Sequence, residues 1–159
     1  MELLDSLTIQ RAHVLGTIED LADEDLRRPV LPSGWTTLGL VNHLALDDEM
    51  FWFRCVMGGD REAIAELDAT PDAWQVGPDV PAASVLDRYR LEAALADAII
   101  EQAPLDASPA WWPADLFGDW RLNTNRQVLL HVITETAVHA GHLDAVRELI
   151  DGKQWIVLG

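Results

Sequence analysis

Four long stretches of the chain carry apolar residues every three or four positions, the spacing of one helix face. The first, Leu3–Leu21, sets Leu4, Leu7, Ala12, Leu15 and Ile18 near helical phase. The second runs from Thr36, a good N-cap, to Gly58, with Leu40, Val41, Leu44, Phe51 and Val56 facing inward. The third, Pro81–Gln102, offers Val85, Leu86, Tyr89, Leu95, Ile99 and Ile100, and a proline at its start suits the first helical position. The fourth, Thr124–Gly152, repeats Leu129, Leu130, Ile133, Ala137, Leu143, Val146 and Ile150. Thr124 followed by Gln127 matches a capping box, and Gly152 suits a helix stop.

Breakers separate these stretches. A short turn at Ala22–Leu26 is followed by Pro29 and Pro32, and Leu31–Trp35 reads as a turn. Asp60–Leu67 predicts a short helix, and Asp68–Val80 and Ala103–Asn123 predict long loops. Four helices with long connections after the second and third predict an all-α four-helix bundle. At 159 residues, residues 1–159 form a single domain in this reading.

The net charge of −16 changes the list of partners. With no basic cluster, nucleic acid is excluded as a partner, and an anionic membrane surface is disfavoured. No apolar run reaches the length of a membrane span. The acidic N-terminus does not read as a signal peptide, and the single Cys55 cannot form an internal disulfide. These features predict a cytoplasmic protein. One lysine against ten arginines points to a GC-rich bacterial coding bias.

The chemistry concentrates on the fourth helix. His131, Glu135, His139 and His142 fall at steps of four, four and three, so they form one stripe. Glu135 and His139, one turn apart, can reach a single ion, and both are ordinary ligands for a divalent metal. The pair alone also reads as surface or singly hydrogen-bonded polar residues. A third ligand must come from another helix, and His43, on the inward side of the second helix, is the candidate. Asp47, one turn on, is a candidate for orienting a ligand or touching substrate. Asp48, Glu49, Arg88, Arg90 and Glu92 read as solvated, and His13 as exposed or capping. Seven tryptophans stand in the chain. They read either as plugs for the bundle ends or, for Trp35, Trp52, Trp111 and Trp112, as an apolar wall over a substrate pocket. Cys55, among Phe51, Trp52 and Val56, reads as a buried, inert thiol.

The segments SGWTTLGLVNHLALDD and HVITETAVHAGHLDAVRELIDG together resemble the DinB superfamily of metal-binding four-helix bundles. They are most similar to the actinobacterial mini-circle protein group and to the metal-binding domain of mycothiol-dependent maleylpyruvate isomerase. The resemblance covers nearly the whole chain. It implies an up-up-down-down bundle, an actinobacterial source and a homodimer. It also implies that His43, Glu135 and His139 are the metal ligands, since the isomerase-like branch carries Glu-x-x-x-His on its last helix. His131 and His142 then lie near the site without being ligands. Val138 stands where the mini-circle group often has arginine, which removes any role that arginine would play.

The function expected on this basis is a metal-dependent transferase of the mycothiol, or low-molecular-weight thiol, S-transferase type. It would act on a small, neutral or weakly charged electrophile. The cofactor expected is a divalent metal, Zn²⁺ first and Ni²⁺ or Fe²⁺ as alternatives, with a thiol cosubstrate. His131, His142 and Asp47 are the candidate catalytic groups, as proton shuttles or as orienting partners. The alternatives are a non-catalytic metal- or small-molecule-binding stress protein and a metal-dependent hydrolase.

Overall fold

The computed structural model describes residues 2–69 and 72–155. Among the described residues the structure is helical throughout and contains no strand. The order is α1 (Glu2–Ile18), α2 (Asp23–Leu26), α3 (Thr37–His43) running directly into a π-helical segment (Leu44–Met57), α4 (Arg61–Ala69), α5 (Ala82–Gln102), α6 (Ala114–Phe117) and α7 (Asn125–Asp151). More than half of the chain lies in these helices. No helix among the described residues is long and apolar enough to cross a membrane. Within the loop expected at Asp68–Val80, Thr70 and Pro71 lie outside the described residues. So does the tail beyond Trp155.

Local chemistry explains the helix ends. Thr36 Oγ1 accepts the Gly39 amide at 3.0 Å and starts α3. The capping box at Thr124 and Gln127 starts α7, and Gly152, in the left-handed region at φ 77°, stops it. Helix α1 ends at Ile18, three residues before the Leu21 expected from periodicity, because Asp20 turns into the left-handed region at φ 62°. Buried Arg147 of α7 then donates from Nη1 to the Thr17 and Glu19 carbonyls, both at 2.7 Å, tying α7 to the end of α1. Pro81 precedes α5 rather than forming its first residue.

The second long helix departs most from the sequence pattern. From Leu44 its backbone bonds run from residue i to i+5, closing with Gly58 N–H on the Phe53 carbonyl at 2.8 Å. Such winding is rare and is usually confined to one turn. Twelve of the fourteen residues are buried, Asp47 and Arg54 being the exceptions. The reason is that α4, α5 and α7 all pack against this segment, which leaves it little solvent-facing surface. Asp48 and Glu49, expected in solvent, are therefore 4% and 1% exposed.

Burying these acids requires partners. Arg11 of α1 donates from Nε and Nη2 to Glu49 at 2.7 and 2.6 Å and from Nη1 to Asp97 at 2.5 Å. Burial works against the Arg11 charge, yet its bonds to Glu49 and Asp97 hold its pKa above the usual value. Glu92 of α5 is also buried, contrary to expectation, between Arg54 at 3.1 Å and Arg88 at 2.7 Å. Half-buried Arg88 spans from Glu92 to Glu66, while Arg90 remains solvated beside Asp87. Leu95 and Leu130, expected inside, are 38% and 46% exposed. Two apolar clusters fill the interior. One gathers around Leu38, Leu40, Leu44, Met50 and Tyr89, the other around Phe53, Val56, Leu129 and Val132. Full burial of a side chain such as Phe53 contributes about 1.5–3 kcal/mol.

His13 is neither exposed nor a cap. Its Nε2 donates to Asp144 at 2.8 Å, and its ring stacks on Trp155.

Removing one partner of a buried ion pair leaves a bare charge. We expect Glu49→Met to cost about 3–5 kcal/mol in urea unfolding, and the double variant Arg11→Met, Glu49→Met to cost less than Glu49→Met alone. A double variant as damaged as the sum of the singles would show that each residue acts independently of the pair.

Candidate metal and substrate site

His43 is the last residue of α3, at the junction where the winding widens. Its Nδ1 donates to Asp47 Oδ2 at 2.7 Å, which fixes the ring and leaves the Nε2 lone pair free. On its other side Trp74 stacks at 4.2 Å between centroids and 20° between planes. Trp74 is delivered by the loop after α4. Asn42 Nδ2 holds the Ala73 carbonyl at 2.8 Å, and the Trp74 amide bonds to Asp72. Gly39 makes this approach feasible, because a Cβ there would collide with the Trp74 backbone carbonyl.

Across from His43 stands α7. The His139 ring meets the His43 ring edge-on, with centroids 5.1 Å apart. His139 Nε2 lies 3.9 Å from Glu135 Oε2. Donors bound about 2.1 Å from a tetrahedral ion sit about 3.4 Å from one another, so this separation is close to that of two ligands of one ion. The residues that could hold a metal are therefore His43, Glu135 and His139. Among the described residues no three His, Cys, Asp or Glu side chains already stand converged on one point. His139 Nδ1 is buried without a hydrogen-bond partner. Burial, and then the neighbouring His43 and His142, push the His139 pKa down to about 4, so its imidazole is neutral.

His43 and Glu135 also line a cavity of about 350 Å³, together with Asp47, Asp48, Phe51, Trp52, Leu116, Phe117 and His131. Its aromatic wall is assembled from two directions. Trp52 comes from the π-helical segment and stacks on Phe117 of α6 at 5.6 Å and 15°. His131 of α7 packs edge-on against Trp52 at 4.7 Å, and burial lowers its pKa, with Glu135 pulling the other way. The loop 103–124 that carries α6 is pinned by backbone bonds. The Trp111 amide donates to the Val56 carbonyl at 3.1 Å, and the Asn125 and Arg126 amides donate to Ala107 and Leu105.

The expected site residues therefore divide. His43, Glu135, Asp47, Trp52 and His131 line one cavity, and His139 stands behind them against His43. Trp112 supports the wall by packing on Trp52 and Phe117, and Trp111 touches Phe51 from behind. Trp35 does not line the cavity. It packs on Trp74 at 6.4 Å, because the turn before α3 leaves it on the far side of the loop. His142 is exposed and reaches only the His139 ring. Cys55 is buried, and burial pushes its thiol up to about 12, so it is no nucleophile. The sequence reading missed Trp74, Phe117 and Asp48. Trp74 and Phe117 lie in segments with no periodicity to read, and Asp48 shares the apolar stripe of Leu44 and Phe51, but its charge read as solvated.

The low pKa of His139 has a pH consequence. Below about pH 6.5 the unfolded chain binds a proton that the folded chain refuses. Metal-free protein should therefore lose stability as pH falls from about 6.5 through 4, by up to about 3 kcal/mol from this group. Denaturation at pH 7 and pH 4.5 should show a smaller loss in His139→Gln than in the parent. An equal loss would place the titration elsewhere.

No curated protein and no solved structure matches this chain. A family match covers residues 2–152, and so spans α1, both faces of the cavity and the whole of α7. The chain belongs to the mycothiol-S-transferase family.

Proposed function

We propose that the protein is a metal-dependent thiol S-transferase that joins a low-molecular-weight thiol, mycothiol by family, to a small electrophile. The observation that carries this reading is that two of the three candidate ligands, His43 and Glu135, also line the aromatic cavity. Ligands and substrate wall thus share one space. We attach to it the up-up-down-down bundle, supported by the pairing of α1 with α7 and of the π-helical segment with α5.

The donor set suits a divalent ion such as Zn²⁺: two imidazoles, one of them kept neutral by burial, and a carboxylate. Asp47 supports the fit by turning His43 so that Nε2 faces the ligand position. Bound there, the ion would stabilise the thiolate form of a thiol and leave coordination positions open.

The chain's own residues then account for the rest. Phe51, Trp52 and Phe117 hold the apolar body of the electrophile and exclude water. His131, kept neutral by burial, takes the thiol proton at a ring nitrogen. The sulfur forms its bond to the electrophilic carbon as the carbon's bond to the leaving group breaks, and His131 returns the proton to the leaving group. Trp52, packed against the His131 ring, keeps it aimed into the cavity.

We expect His139→Ala to lower the metal content of purified protein at least about tenfold, and exposed His142→Ala to leave it unchanged. Rates with mycothiol across an electrophile panel should fall in the order metal-loaded, Glu135→Gln, metal-free. If metal-loaded protein matches the uncatalysed rate, the transferase reading falls and a binding role takes its place.

A further inference from the structure

Asp48 is the residue that folding does not explain. It is 4% exposed, its Oδ2 is buried, and that oxygen has no hydrogen-bond partner. A buried carboxyl oxygen left unpaired costs about 1–3 kcal/mol or more. Its chain neighbour Glu49 is equally buried but is satisfied by Arg11. Asp48 points instead into the cavity beside His43. Of the described residues lining that cavity, none is Lys or Arg, and three are carboxylates: Asp47, Asp48 and Glu135. Arg121 lies over the Trp112 ring at 5.5 Å, and neither residue lines the cavity.

We propose that this cavity takes a small organic cation, its ammonium nitrogen against the Asp48 carboxyl group and its apolar body against Phe51, Trp52 and Phe117. The ammonium supplies the N–H donor that Asp48 lacks. Aromatic faces attract a cation as well as burying the carbon skeleton. An anionic substrate finds no cationic side chain on the described lining, and a neutral one brings no charge to Asp48. Asp48 is therefore the residue that selects the electrophile by charge. This rests on the cavity being the substrate site, and it narrows the substrate of the proposed transfer to amine-bearing electrophiles.

Equilibrium binding tests it without turnover, so a protein with no transferase activity still gives an answer. The probes are 2-phenylethylammonium, 2-phenylethanol and 3-phenylpropanoate, which share one aromatic body and differ in charge. Tryptophan fluorescence, with Trp52 in the cavity wall, reads the affinity in metal-loaded and metal-stripped protein. We expect the ammonium to bind at least about tenfold more tightly than either other probe in both forms. Asp48→Asn should erase that preference while retaining the alcohol, which shows that the cavity is intact. Asp48→Glu should recover part of it. A ranking without the ammonium first overturns the proposal. So does a preference that survives Asp48→Asn, or one present only with metal, since an amine on the ion would explain it. If Asp48→Asn loses the alcohol as well, the parent ranking with Asp48→Glu decides.

Discussion

The ion pair between Arg11 and Glu49 is what allows a carboxylate at the centre of a segment with little solvent-facing surface. The other elements arrange themselves around that constraint. A helix packed on by α4, α5 and α7 has little surface for polar residues, so an acid buried on it must meet a cation or a cavity. Glu49 meets Arg11, which in turn holds Asp97 of α5. Asp48, one residue away, is turned to another side and meets the cavity. Consecutive residues on a helix point in different directions, which lets the two acids serve different neighbours.

The site depends on the same segment. His43 closes the ordinary helix and opens the wide one, and its partner Asp47 is one of only two residues of the wide stretch left partly exposed. The Asp47 bond settles which His43 nitrogen is available, while Trp74 fixes the ring plane. On α7 the i, i+4 spacing places Glu135 and His139 together, and Trp74 and His43 pack edge-on against the His139 ring. The two halves are held by different forces, a hydrogen bond and stack on one side and helix periodicity on the other. Trp74 also meets the His139 ring at 5.7 Å, so mutations in the loop that carries it disturb both candidate histidines and leave Glu135 untouched.

Much of this was legible in the sequence. Helical periodicity, the caps at Thr36 and Thr124 and the stop at Gly152 located the long helices to within a few residues. The stripe on α7 and the placement of His43 brought the right elements together, since both signals are local. What periodicity could not supply was the winding of Leu44–Met57. Asp48 falls four residues after Leu44 and three before Phe51, on the apolar stripe itself, and Glu49 borders it; their charge, not their phase, read as solvated, and the structure buries both. Burial of Glu92 was hidden for a related reason, because its partners Arg54 and Arg88 are distant or weakly patterned in sequence. Trp74 and Phe117 were invisible because loops are placed by tertiary hydrogen bonds, here from Asn42 and from the Val56 carbonyl.

The aromatic wall shows how one bundle could serve different substrates. The helices supply the candidate ligands, Trp52, His131 and the acids, all fixed by core packing. Phe117 and the backing residues Trp112 and Trp120 come from a segment anchored only at its ends, through Trp111 to Val56 and through Asn125 and Arg126 to the residues before it. Changes at Phe117 alter the shape of the cavity directly, but they also reach the core, since Phe117, Trp111 and Trp112 pack on the cluster that holds Phe51 and Trp52. Charge selection is a different matter. Asp48 lies within the enclosed helix, so changing the charge it presents means altering a buried position beside the Arg11–Glu49 pair. Shape is thus set in part by the segment that carries Phe117, and charge by the buried helix.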